Sequence, residues 1–204
     1  LKSCVTHAAN TAIGFEALKL NTANSNTAVG AYALDANTSG GDLCAIGSQA
    51  LGANTTGANN VAMGVSALAA NTTAGNNVAI GTSSLAANTT GTSNTAVGTN
   101  ALLTNTTSNN NTAVGKDALK VNTAASCTAV GMGALESNTT GQKNTGIGAG
   151  AGLSITTGEK NVAIGADALD ALTTGDDNTA VGNSALGKTT TASDNTGVGR
   201  LALF

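Results

Sequence analysis

The segment NTAVGTNALLTNTTSNN, residues 94–110, decides how this chain is read, because close variants of it fill the whole sequence. We number its positions as slots 1 to 17. Slot 5 is then Gly14, Gly30, Gly47, Gly64, Gly81, Gly98, Gly115, Gly131, Gly148, Gly165, Gly182 and Gly199. The spacing is 17 residues, shortened to 16 in the repeats at 10–25 and 111–126. Both short repeats lose a residue within slots 13–17, where NTTG becomes NTA, and a segment that tolerates deletion reads as a turn. Strict self-similarity at this period is the mark of a solenoid.

Each slot has its own chemistry. Slot 4 is always Val, Ile or Met; slot 2 is Thr, Val or Cys; slot 3 is Ala, or Gly at Gly146 and Gly197. Slot 8 is Ala except at Ser84, and slot 9 is Leu except at Gly152, whose place Leu153 is expected to take. β-Branched residues alternating with small ones predict a strand over slots 2–4. Slots 7–9 predict a second short strand, with a kink because charged slot 7 and apolar slot 9 would share one face. Gly at slot 5 predicts a bend or close backbone contact, and the NTTG run a second turn. Repeated Asn, Thr and Gly disfavour helix. The expected fold is all-β: a parallel β-solenoid of about twelve coils, two short strands per coil, forming one array over residues 1–204. The array begins and ends inside a repeat, so we expect it to be a window of a longer one.

Composition agrees with a narrow stacked coil. Ala, Thr, Gly and Asn make up 124 of 204 residues, and Leu, Ile, Val and Phe only 38. There is no Pro or Trp, and formal net charge is −3. No apolar run approaches the ~20 residues of a membrane helix, and no basic patch suits nucleic acid. All nineteen charged residues fall in slots 6, 7, 10, 11, 16 and 17, which should form the solvated rim. From Leu43 to Gly115 there is none, a run of 73 residues.

Slots 2 and 4 point one way and slots 3 and 5 the other, yet neither set carries a charge. A strand wetted on one face normally alternates apolar with polar. Both faces therefore read as buried: one inside the coil, the other against a copy of the chain. Sequence alone does not assign them.

Asn fills slot 1 in ten of twelve repeats, and slot 12 at Asn54, Asn71, Asn88, Asn105 and four further turns. Stacked coils would turn these columns into amide ladders. Asn37, Asn54, Asn71, Asn88, Asn105, Asn110 and Asn138 also begin N-x-S/T sequons, but an inward slot cannot carry a glycan. Cys44 and Cys127 lie about five coils, roughly 24 Å, apart, too far for a disulfide; with Cys4 they read as small buried substitutions. His7 has no partner for metal or base chemistry. Phe15, Tyr32 and Phe204 read as isolated rim aromatics, and GIGAGAG (146–152) as a local irregularity rather than a phosphate loop. No nucleophile, base and orienting group occur together. We expect no enzyme, no cofactor and no metal.

The NTAVG–AL–NTTG pattern resembles the head repeats of trimeric autotransporter adhesins of the YadA type. It is closer still to the NTAxGxxAL repeats of phage tail fibres, algal-virus surface proteins and related bacterial fibres. That resemblance implies a left-handed parallel β-roll, a homotrimer, and a structural, adhesive role at a cell or virion surface with a glycan or protein receptor. Charge and the length of apolar runs give the further expectation of no nucleic acid and no membrane insertion of this segment. A self-assembling extracellular filament and an ice- or water-ordering module are the alternatives; the latter needs the slot 2 threonines exposed.

Overall fold

The structure, a computed structural model, describes residues 9–203. Cys4, His7 and Phe204 lie outside the described residues. Tandem identity puts each slot over itself one coil later, so strands stack in parallel and in sequence order. Among the described residues twelve three-residue strands result: β1 Thr11–Ile13, β2 Thr27–Val29, β3 Cys44–Ile46, β4 Val61–Met63, β5 Val78–Ile80, β6 Thr95–Val97, β7 Thr112–Val114, β8 Thr128–Val130, β9 Thr145–Ile147, β10 Val162–Ile164, β11 Thr179–Val181 and β12 Thr196–Val198. They form one parallel sheet ordered β1 to β12, in which Thr95, Ala96 and Val97 pair with Thr112, Ala113 and Val114. The architecture is a parallel β-solenoid.

Slots 7–9 do not form the expected second strand. Slots 5–12 are three successive turns instead. In the coil starting at Asn94, Ala101 N–H donates to Gly98 O (3.2 Å), Leu103 to Asn100 O (3.3 Å) and Asn105 to Leu102 O (3.2 Å). The third residue of the first two turns is left-handed: Asn100 has φ 59° and Leu102 φ 53°, and the same holds at slots 7 and 9 of every described coil. A left-handed L-residue costs about 1–2 kcal/mol. Two contacts hold Leu102 there: its side chain is fully buried, and its N–H donates to Ala118 O of the next coil at 3.1 Å. The residue is Leu rather than Val or Ile because β-branched side chains tolerate positive φ worst.

The glycine column is doubly required. Gly98 has φ +136°, and a Cβ there would sit 2.5 Å from Gly115 O in the coil above. The columns from Gly14 to Gly182 share this close approach, so neighbouring backbones meet where any side chain would intrude.

The core is one leucine thick. Slot 3 alanines, slot 8 alanines and slot 9 leucines line its apolar side. Opposite them, the slot 12 asparagines and the slot 1 asparagines of the interior coils are buried. At GIGAGAG the expected substitute for Gly152 is wrong. Leu153 is exposed, whereas Ile155 is fully buried and its Cδ1 lies 3.0 Å from where a Gly152 Cβ would be. The leucine lost at slot 9 is replaced across the coil from slot 12.

Candidate functional site

Three features could carry function: the inner amide ladders, the outer sheet face, and the turn-lined rim.

The ladders are structural. Along slot 12 each amide Nδ2 donates to the Oδ1 one coil earlier: Asn54 to Asn37 (2.9 Å), Asn71 to Asn54 (2.8 Å), Asn88 to Asn71 (3.1 Å) and Asn105 to Asn88 (3.1 Å). The same Nδ2 ties down its own turn, as Asn71 does with Ala74 O at 3.0 Å. Slot 1 forms a second ladder in which the side chain serves the backbone. Asn94 N–H donates to Asn77 Oδ1 (2.9 Å), and Asn111 N–H to Asn94 Oδ1 (3.0 Å). Cys127 fits this column by donating Sγ–H to Gly141 O at 3.3 Å, where an asparagine would use its amide. Burial pushes its thiol pKa up, which keeps it protonated and unreactive.

The short repeat 111–126 breaks the slot 12 ladder. With one turn residue missing, Asn122 Nδ2 reaches Ala124 O at 2.7 Å instead of the coil before. Asn105 Oδ1 is thereby left buried with no partner, the one such side-chain atom among the described residues.

The structure assigns the strand faces. Slot 3 points in, and slots 2 and 4 point out. Slot 2 is half-buried in the interior coils, while slot 4 is more open, as at Ile46, Met63, Ile80, Val130, Ile147 and Ile164. The outer face is thus a flat uncharged stripe of two columns running the length of the sheet. Cys44 belongs to it, half-buried on slot 2, rather than to the core. Cys44 and Cys127 are both free thiols.

The rim takes the charges: no charged residue among those described is buried. Lys120 bridges Asp117 and Glu136, each at 3.4 Å, and Lys116 approaches Asp117 at 3.4 Å. A hydrogen bond from Asn100, with Lys120 and Lys116 nearby, holds the Asp117 carboxyl below its ordinary pKa. Among the described residues no three His, Cys, Asp or Glu side chains converge as metal ligands, and no helix is long and apolar enough to cross a membrane. Of the seven sequon asparagines, the six in slot 12 are buried; Asn110, in slot 17, is exposed.

The rim also corrects one reading. Phe15 and Tyr32 are not isolated. One coil apart, their rings meet edge to face with centroids 5.4 Å apart and planes at 76°. Their places in slots 6 and 7 of successive coils were the available signal. Tyr32 walls an open groove of about 380 Å³ lined also by Asp35, Gln49, Gly52, Ala53 and Ala69.

In comparisons with known proteins, no family model, no curated protein and no solved structure matches the chain significantly.

Proposed function

We propose that this chain is a non-enzymatic structural and adhesive fibre segment, whose rods associate side by side through the outer sheet face into a homotrimer. Its work is length, rigidity and repeated display at a cell or virion surface, towards a glycan or protein receptor. One observation carries the reading: the uncharged outward stripe of slots 2 and 4. Eleven strand spacings of about 4.8 Å by a strand width of about 10 Å make it roughly 500 Å². That is the upper range of what monomers leave exposed. Copies of one repeat also have matched coil spacing, so their stripes stay in register along the rod. The resemblance to adhesin and fibre repeats supports the same assembly.

The test is mass in solution by light scattering. The proposal expects three times 19.4 kDa. A folded 19.4 kDa monomer overturns it, and open-ended growth favours a filament. A second reading follows from the eight outward slot 2 threonines, of which Thr95, Thr112, Thr128 and Thr145 form the longest run at single strand spacing. A water-ordering face of this kind requires a folded monomer with thermal hysteresis.

A further inference from the structure

The groove beside Tyr32 combines three chemistries on one short stretch of rim. The exposed aromatic ring offers an apolar face. The Asp35 carboxylate accepts hydrogen bonds, and the Gln49 amide both donates and accepts. The space exists because slot 10 is Gly52 here and Ala69 in the next coil. Many other coils carry a larger residue in slot 10, as at Leu103, Lys120, Glu136 and Leu153, although Ala86 and Gly187 are small again. Gly52 is not required by a left-handed backbone conformation. A Cβ there would sit 3.6 Å from Asp35 Oδ1, an ordinary contact, and 3.3 Å from Gln49 O, a tight one that a shift of a few tenths of an ångström relieves. Phe15 braces the Tyr32 ring from the preceding coil, so the ring is presented edge-fixed.

We propose that this groove binds a neutral pyranose ring of a surface glycan. The inference rests on the adhesive reading above and names the ligand class for it. A pyranose has one face of C–H groups to lie on the Tyr32 ring. Its hydroxyls span the acceptor at Asp35 and the paired donor and acceptor at Gln49. The volume suits one or two sugar rings, and the open side lets the rest of a glycan leave. Charge selects against acidic sugars. Asp35 and Glu16 are the local anions, and Lys19 is joined to Glu16 at 2.9 Å. Beyond Gln49 the rim is uncharged as far as Lys116. Burial raises the Asp35 pKa, consistent with a carboxylate partly shielded in the groove wall. One site is weak, but copies in an oligomer gain by linkage.

Tyr32 is the only tyrosine and there is no tryptophan, so intrinsic emission reports on this groove alone. The experiment titrates the 204-residue chain with methyl glycosides of glucose, galactose, mannose and N-acetylglucosamine, and with sialyllactose and a heparin disaccharide. We expect a saturable emission change with at least one neutral glycoside in the millimolar range, about −4 kcal/mol, and none with the acidic sugars. Gly52→Leu fills the groove with a residue that slot 10 already carries, and Asp35→Ala uses the slot 10 residue of Ala69 and Ala86. Each should weaken binding at least about tenfold without altering circular dichroism or mass. Saturation by no neutral glycoside, response to acidic sugars alone, or full binding by both variants overturns the proposal. Oligomer mass is measured separately, so a groove that fails in an intact trimer leaves the fibre reading standing.

Discussion

Replacing Asn71 by alanine tests whether the slot 12 ladder holds the coils together. Asn71 is fully buried and makes three hydrogen bonds. Its Nδ2 donates to Asn54 Oδ1 (2.8 Å) and Ala74 O (3.0 Å), and its Oδ1 accepts from Asn88 Nδ2 at 3.1 Å. Each bond is worth about 1 kcal/mol net, and a stranded buried acceptor costs about 1–3 kcal/mol. Ala74 O keeps its bond from Asn60 Nδ2 (2.8 Å) and Asn88 keeps Gly91 O (2.9 Å), so Asn54 Oδ1 is the atom stranded. The loss should be about 4–6 kcal/mol. Asn105→Ala provides an internal comparison. Asn105 makes two bonds, to Asn88 Oδ1 and Ser108 O, both 3.1 Å, and its own Oδ1 is already unpaired. Removing it strands Asn88 Oδ1 but relieves a desolvated acceptor of similar cost. Its loss should be about 2 kcal/mol. Hydrogen exchange by mass spectrometry, resolved to individual coils, is the suitable assay because repeat arrays unfold locally. Equal losses for the two variants, or less than about 0.5 kcal/mol for Asn71→Ala, would refute the ladder argument.

Gly98→Ala should unfold or disrupt its neighbourhood, since a Cβ would meet Gly115 O at 2.5 Å with φ at +136°. Gly52→Ala should leave the thermal midpoint within a few degrees of the parent. Lysine at Ile80 and Val97 places two charges on the sheet face, and light scattering should show dissociation with the circular dichroism retained. In that dissociated double variant, half-buried Cys44 should react with a thiol reagent while Cys127 stays protected. The pH response has two opposed parts. The Asp117 pKa is lowered in the fold, so its contribution is present above the ordinary carboxylate range and fades as pH falls through the folded value. The Asp170 pKa is raised, chiefly by burial and then by Asp167, so protonation favours the fold and stability rises as pH falls through that value. Asp117→Asn should therefore flatten the acid-side loss, and Asp170→Asn should raise the neutral-pH melting temperature slightly.

Much of the molecule is legible from the repeat because stacking turns sequence period into spatial neighbourhood. The Gly14-to-Gly199 column, the Asn54–Asn105 ladder and the charged rim need only one premise, that slot sits over slot. Local irregularities were less legible. Leu153 follows Gly152 directly and looks like its replacement, but only the closed coil brings Ile155 across to fill that space. Phe15 and Tyr32 were readable as a pair, since slots 6 and 7 of successive coils must lie near each other. The groove beside them was not, because it depends on Gly52 being small rather than on a residue that announces chemistry.

The sequence by itself determined the parallel stacking, its register and the columns, because translational repetition leaves one way to align identical slots. The tertiary structure decided which strand face points inward, and that slots 7–9 turn instead of extending. Those outcomes depend on the sign of φ at Leu102 and its counterparts. That sign follows from closing a whole coil around one leucine, a constraint that no local run of residues contains.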